Sequence, residues 1–326
     1  MKTKILEFLK KKQDFVSGQA ICEQLGVSRT AVWKCINGLR EDGYEIESVT
    51  RKGYRLLQSP DILTKEELRE RISPEQWPGE IHCYPQIDST NEEAKRQAES
   101  GAGDGSLYVA DCQTAGRGRR GRTWLSPAGK DIFFSILLRP RMQPQAASML
   151  TLVTALAAAK TVEQYGGEGC QIKWPNDIVL HGKKLCGILT EMSLEMGEIS
   201  YLVIGVGFNM NRMEFDEEIS HMATSLKKET GKQIPRADFL ADFLAHFSEE
   251  YEKFSREQNL SSVKEEYEKR LVNIDREVLI EKSGKKKVGL ARGINEQGEL
   301  LVCMEDGATE AVCAGEVSVR GLYGYV

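Results

Sequence analysis

The chain has 326 residues, 40% hydrophobic and 29% charged, with a formal net charge of −5. That length suits two or three domains, and the apolar share is enough for a packed core, so a disordered or fibrous chain is excluded. Eight cysteines (22, 35, 83, 112, 170, 186, 303, 313) and four histidines (82, 181, 221, 246) make no C-x-x-C or H-E-x-x-H spacing, which favours reduced thiols over a zinc or disulfide frame.

The best apolar stretch, around Met149 to Ala159, is shorter than the roughly 18 residues of a membrane span. The N-terminus is basic but lacks the apolar run and cleavage site of a secretory signal. A cytoplasmic protein with no membrane partner is expected. Charge is distributed unevenly: residues 1–60 hold 11 Lys and Arg against 7 Asp and Glu, whereas the remainder holds 33 against 42. A basic head on an acidic body suggests that the head meets a polyanion such as DNA.

In the head, Ile5, Leu6, Phe8 and Leu9 predict one helical face. Ser17 then caps a short helix that ends at Gly26, and Ser28 caps a third that stops at Gly43. Val32, Ile36 and Leu39 of the third helix point inward, leaving Arg29, Thr30, Trp33, Lys34 and Asn37 outside. "YEIESVTRKGYRLL" alternates as two strands around a basic tip, Arg51-Lys52-Gly53. Helix, tight turn, helix and basic hairpin is the layout of a winged helix-turn-helix on DNA, with Ser28, Arg29, Thr30, Trp33, Lys34, Asn37, Arg51 and Lys52 as its candidate contacts. "QSPDILTKEEL" (58–68) is a linker leading into a helix capped by Thr64 and Glu67.

In the body, "DSTNEEAK" predicts a helix over 91–99 with Ser89 and Thr90 at its mouth and Glu92 and Glu93 completing capping boxes. Free amide donors and hydroxyls there suit a polar ligand group. Strands at 106–111 and 131–138 flank "TAGRGRRGRTWLSPAGKD" (114–131). Glycines that admit close approach, carrying four arginine forks, point to an anion such as phosphate. Trp124 either stacks on a purine or anchors the loop end. "GAGDGS" and "GVGFNM" lack the strand-helix context of a dinucleotide fold. "QIKWPNDIVLHGKKLCGILTE" (171–191) reads as a hairpin around His181-Gly182, with a rigid bend at Trp174–Asp177. Lys184, Cys186 and Ile188 are expected on one face, and Asp177 could hold Mg²⁺ through water. Acidic helices follow at 237–257 and 261–270. From about 272, short strands with turns at Ser283-Gly284 and Gln297-Gly298 suggest a small barrel.

"STN" (89–91), "QTAGRGRRGRTW" (113–124), "KWPND" (173–177), "KLCGILTE" (184–191) and "GVGFNMN" (205–211) closely resemble the motifs of biotin–protein ligases. With its head, the chain resembles the bifunctional bacterial ligases that also repress the biotin operon. The resemblance spans essentially the whole chain. It implies an α/β (α+β) fold in three parts: a winged helix-turn-helix (1–60), a central mixed-sheet, class II synthetase-like domain (61–271) and an SH3-like β-barrel (272–326).

It further implies that biotin and ATP, with Mg²⁺, form biotinyl-5′-adenylate, and that biotin then passes to a lysine of the biotin carboxyl carrier domain of acetyl-CoA carboxylase. Ser89, Thr90, Asn91, Gln113, Arg117, Gly118, Arg119 and Lys184 would bind biotin. Arg119, Arg122, Trp124, Lys173, Asn176, Lys184 and Asn209 would bind ATP or the adenylate, with Arg119, Lys184 and Lys173 catalytic. An adenylate-bound homodimer would bind operator DNA. The other reading that the residues leave open is a small-molecule-sensing transcription regulator without ligase activity.

Overall fold

The computed structural model describes residues 1–12, 14–282, 285–314 and 318–321. The expected turn at Ser283-Gly284 lies outside them. The chain divides into two compact units, Met1–Ile62 and Leu63–Val326.

In the first unit, α1 (Lys2–Lys12), α2 (Gly18–Leu25) and α3 (Arg29–Glu41) precede a hairpin of β1 (Glu45–Val49) and β2 (Gly53–Gln58). The Ser17 hydroxyl accepts from Ala20 N and that of Ser28 from Ala31 N, caps worth ~1 kcal/mol each. Gly26 closes α2 in the left-handed region at φ 66°. Ile5, Leu6, Leu9, Ile21, Val32, Ile36 and Leu39 share a core with Tyr44 and Ile46 of the hairpin. Val16 bridges Tyr54, adding a third short rung to the wing.

The second unit begins with α4 (Lys65–Arg71), capped by the Thr64 hydroxyl on Glu67 N. Strands β3 (Ile81–Tyr84), β4 (Ser106–Ala110), β5 (Ile132–Leu138), β6 (Gln171–Lys173), β7 (Asp177–Leu180), β8 (Lys183–Glu195) and β9 (Glu198–Phe208) form one mixed sheet. Its order is β3-β4-β5-β9-β8-β7-β6, in which only the β3–β4 pair is parallel. Helices α5 (Thr90–Glu99), α6 (Pro144–Ser148), α7 (Leu150–Gln164), α8 (Glu217–Ser220), α9 (Leu226–Thr230), α10 (Arg236–Glu257) and α11 (Lys264–Glu268) surround it. Strands β10 (Glu277–Lys282), β11 (Lys285–Ile294), β12 (Leu300–Met304), β13 (Thr309–Val312) and β14 (Ser318–Gly321) make an antiparallel five-stranded sheet ordered β13-β12-β11-β10-β14. The acidic helix expected over 261–270 is short, covering Lys264–Glu268.

The central sheet is apolar on both faces, and the period of two sorts its residues. Leu202, Ile204, Val206 and Phe208 of β9 join the main core, with Phe208 edge-on to Phe239 and Phe243 of α10. Val203, between them, joins a separate cluster with Ala94 and Ala98 of α5. Each buried Phe contributes ~1.5–3 kcal/mol, so the α10 face carries the stability and the thinner α5 face is available for a site.

Two sequence expectations need correction. The apolar stretch is longer than it reads: Pro144–Gln164 runs 21 residues at a mean hydropathy of 1.2, the length and composition of a membrane span. It is nonetheless 78% buried inside the protein, as a core helix is. Its polar residues had masked it, because Thr154 and Thr161 turn their hydroxyls back to the carbonyls of Leu150 and Ala157. The second correction concerns α5. Ser89 makes no side-chain cap, so Glu92 and Glu93 complete no capping box and bond elsewhere.

Gly53 fixes the wing. Its φ is +108°, and a Cβ there would lie 2.0 Å from the Val16 carbonyl oxygen. Gly53→Ala is expected to destabilise the Met1–Ile62 unit by about 2–3 kcal/mol, measured as a lower urea midpoint by circular dichroism of that unit alone. An unchanged midpoint would show that the wing is not anchored on Val16.

Candidate active site

A narrow cavity of about 50 Å³ opens on the α5 face of the central sheet. The N-terminus of α5 supplies Ser89, Thr90 and Asn91. The β4–β5 loop supplies Gln113, Arg117, Gly118, Arg119 and Trp124, and the β6–β7 bend supplies Asn176. Lys184 and Gly187–Leu189 of β8 and Gly205–Gly207 of β9 form the floor. A wider groove of about 340 Å³ adjoins it and shares Arg119, Asn176, Ile188 and Leu189. The groove has the size of a small-molecule site.

Register gathers three glycines on one face of the floor. Gly187 pairs with Gly207, and Leu189 with Gly205. A Cβ on Gly207 would sit 2.6 Å from Trp124 Nε1, and one on Gly187 would sit 2.9 Å from Trp124 Cζ3. The indole therefore lies against the glycine pair. A Cβ on Gly205 would fall 2.0 Å from Asn91 Oδ1, so that glycine admits Asn91. At the α5 mouth, Thr90 N donates to Gln113 Oε1 at 2.8 Å, and Gln113 Nε2 donates to Ser126 Oγ at 2.9 Å. Ser135 Oγ donates toward Thr90 Oγ1 or Asn91 Oδ1, at 2.8 and 2.6 Å. Asn91 Nδ2 donates to Glu191 at 2.8 Å. Ser89 is buried with its hydroxyl free of any capping bond.

The Gly/Arg loop folds back on itself through bridges between Gln113 and Ser126 and between Arg117 and Thr123. Arg120, at φ 57°, makes the tight turn at its tip. Arg117 donates to Glu92 Oε1 at 2.7 Å. Arg119 donates to Asn176 Oδ1 at 2.9 Å and to the Ala314 carbonyl at 2.6 Å. Burial pulls the Arg119 guanidinium below its ordinary pKa; the charge of Asp177 opposes this, whereas Arg120 and Arg122 reinforce it. Among the described residues this partly buried cation bonds only neutral acceptors, an arrangement that suits an anion.

Lys184 lies over the Trp124 ring at 5.2 Å and pairs with Asp177 at 2.7 Å. It does not share a face with Cys186 and Ile188, as its spacing suggested. The β7–β8 register skips Leu185, and this bulge turns Lys184 toward the cavity while Cys186 stays buried in the core. Burial pushes the Cys186 thiol well above its ordinary pKa, leaving it inert.

Asn176 Nδ2 donates to Ile188 O at 2.9 Å, fixing the bend against β8. Lys173 is buried opposite Asp177, outside the lining of the cavity. Asn209 also lies off the cavity. Its amide donates to Thr224 O at 3.0 Å and accepts from Arg212 at 2.6 Å. Arg122 is exposed on the outer limb of the loop. Among the described residues no group of three or more His, Cys, Asp or Glu could hold a metal.

In the first unit, Arg29, Thr30, Trp33 and Lys34 are exposed along α3, Trp33 at 56%, and Asn37 is half-buried. The Ser28 hydroxyl is used by its cap. Arg29 donates to Gln19 Oε1 at 2.9 Å. Arg51 and Lys52 are exposed at the hairpin tip. Phe15, which the sequence reading passed over, lies under Arg55 at 4.6 Å and Lys52 at 5.6 Å, propping the wing.

Three family models match: an HTH domain over 2–55, the biotin/lipoate A/B protein ligase family over 83–209, and a biotin protein ligase C-terminal domain over 274–320. The bifunctional ligase/repressor BirA of Bacillus subtilis is 38% identical over 296 residues, covering 90% of this chain and 91% of that one. The chain belongs to the bifunctional biotin ligase/repressor family. The Escherichia coli member is 33% identical, covering 94% of each chain. The solved biotin protein ligase from Aquifex aeolicus, in complex with biotin and ATP, superposes with a TM-score of 0.65 at 33% identity, over 74% of this chain and 99% of that one.

Within this family member, residues of five separate segments meet at one cavity, and the glycine pair seats the loop's tryptophan. Gly207→Ala is expected to lift the indole off the floor. The Trp124 share of the fluorescence, taken by difference from Trp124→Phe, should shift to the red while Tm changes by less than about 4 °C. A parental spectrum would show that the floor does not seat the ring.

Proposed function

We infer that this chain is an ATP-dependent biotin–protein ligase whose adenylate product also makes it a repressor of biotin genes. The observation that carries the reading is the convergence of Arg117, Arg119 and Lys184 over a glycine-rich floor beside the α5 N-terminus. A carboxylate attacking a phosphate brings two anions together, and needs concentrated, desolvated cations.

In the first step a biotin carboxylate oxygen attacks the α-phosphorus of ATP, and pyrophosphate leaves. Ser89, Thr90, Asn91, Gln113, Arg117 and Gly118 hold biotin on the floor. Arg119 and Lys184 span the new acyl-phosphate and offset its charge. Arg122, Lys173, Asn176 and Asn209 serve the nucleotide side. Lys173 and Asn209 lie off the cavity, so they act through the elements they fix, and Trp124 lines the nucleotide side from its seat on the glycine pair. Mg²⁺ neutralises the nucleotide phosphates when bound. The protein offers it one carboxylate, Asp177, with the remaining ligands supplied by phosphate and water.

In the second step the lysine Nε of a biotin carboxyl carrier domain, that of acetyl-CoA carboxylase, attacks the acyl carbon and AMP leaves. The closed loop keeps water from the anhydride until then. We place the reaction in the cytoplasm, where ATP and carrier meet.

Repression uses the α3 face and the Arg51-Lys52 tip on operator DNA, as an adenylate-bound homodimer matched to a two-fold site. Beyond Ile188, which also bonds the Asn176 carbonyl, β8 has no register partner but β9 among the described residues, and Met192 and Leu194 stand exposed along that stretch. Such an open edge supports pairing with a second copy.

The purified protein should catalyse ATP–pyrophosphate exchange that depends on biotin and does not respond to lipoate. Tight biotin binding without exchange would reduce the body to a sensor. Removing residues 1–62 should leave exchange within about twofold while abolishing binding to DNA selected from a random pool by the full-length protein. Retained DNA binding by the truncated chain would rule out the head as the reader.

A further inference from the structure

Helix α5 carries a set of charges that the chemistry above does not use. Glu92 Oε1 accepts from Arg117 Nη1 at 2.7 Å and from Lys95 Nζ at 2.9 Å. Lys95 also donates to Glu191 Oε1 at 2.6 Å, and the other oxygen of Glu191 accepts from Asn91 at 2.8 Å. A continuous strap of charge therefore runs from β8 through α5 to the Gly/Arg loop. Glu92 does not line the cavity, whereas Arg117 does. The guanidinium at the cavity mouth is thus already bonded to a carboxylate of the protein itself.

That carboxylate has the chemistry of the ligand it faces. Biotin's carboxylate, or the phosphate of the adenylate, competes for the same guanidinium through the same charge-assisted oxygen contacts. Arg117 is 55% exposed and Glu92 28%, so the pair biases the loop by no more than about fivefold, weak enough to be exchanged.

We propose that Glu92 is an internal competitor for Arg117, a positioning residue that latches the Gly/Arg loop while the cavity is empty and yields the guanidinium to an anionic ligand. The inference rests on the reading of Arg117 as a ligand-binding residue. It predicts an unusual pair of effects. Removing the Glu92 charge loosens the empty loop and at the same time tightens ligand binding, because the guanidinium no longer has to be won from a partner. A residue that contacted biotin, or merely stabilised the fold, would weaken binding when removed.

The test compares the parent with Glu92→Gln, which keeps the shape and removes the charge. In ligand-free protein, tryptic cleavage between residues 117 and 122, mapped by mass spectrometry, should accelerate about two- to fivefold. In biotin-dependent exchange, KM for biotin should fall by a similar factor while kcat stays within about twofold. Both differences should vanish at about 0.5 M KCl, where exposed pairs are screened. A KM that rises, or a cleavage rate equal to the parent's, overturns the proposal. If the parent shows no biotin-dependent exchange, the ligase reading fails by itself, and the proteolysis still decides the latch.

Discussion

The site depends on an absence: side chains are missing at Gly187, Gly205 and Gly207 on one face of the β8–β9 ladder. Gly187 and Gly207 are register partners, and Gly205 stands opposite Leu189 on the same face. Where a Cβ would have been, the Trp124 ring and the Asn91 amide approach the backbone. The same strand cannot give up its core. On its other face, Leu202, Ile204, Val206 and Phe208 pack into the main apolar cluster with α10. Alternation lets one strand serve both purposes: even positions of β9 carry the stability, and Gly205 and Gly207 among the odd ones admit the Asn91 and Trp124 side chains of the site.

Behind the floor, buried charge fixes the ends of the site. Asp131, at the root of the Gly/Arg loop, accepts from Met210 N at 2.8 Å and pairs with Arg212 at 2.6 Å. Arg236, itself buried, bonds Asp111 at 2.6 Å and the Asp131 carbonyl at 3.0 Å. These contacts tie the two strands that carry the loop to the segment following β9 and to the start of α10. Burial pushes the Asp131 carboxyl up to about 6, against the pull of the two arginines. The desolvation of this cluster offsets much of its Coulomb attraction, so its contacts fix where the loop's ends sit without adding much stability. Asn209, locked between Thr224 and Arg212, belongs with this scaffold.

Features that depend on consecutive residues were legible in the sequence. The caps at Ser17, Ser28 and Thr64, the inward triad Val32, Ile36 and Leu39, the hairpin at His181-Gly182 and the loop between two strands all sit where local chemistry put them. What escaped depends on pairing between distant residues. Lys184 reaches the cavity because the β7–β8 register skips Leu185, and no count along one strand exposes a bulge set by its neighbour. The Gly187–Gly207 pair spans twenty positions, so neither glycine alone announces a floor. Ser89 reads as a cap from its type and position. In the fold it lies buried with its hydroxyl uncapped, and the two glutamates that were to complete the motif pair with cations instead. In each case the tertiary partner outbid the local one.

The three cations of the cavity all find acceptors within the protein. Each cation has a protein acceptor in the ligand's stead: Glu92 for Arg117, Asn176 and the Ala314 carbonyl for Arg119, Asp177 for Lys184. Had those cations been left unpaired, desolvation and mutual repulsion would have held the loop open. With the acceptors present, arrival of an anion is an exchange of partners, and its net driving force is the difference between two similar sets of contacts. The sets are not equal, however. On the proposed reading, Arg119 would exchange the two neutral oxygens it bonds among the described residues for charged ones, whereas Arg117 and Lys184 would exchange one anion for another. The gain on binding would then be concentrated at Arg119, where a charge-assisted bond replaces a neutral one.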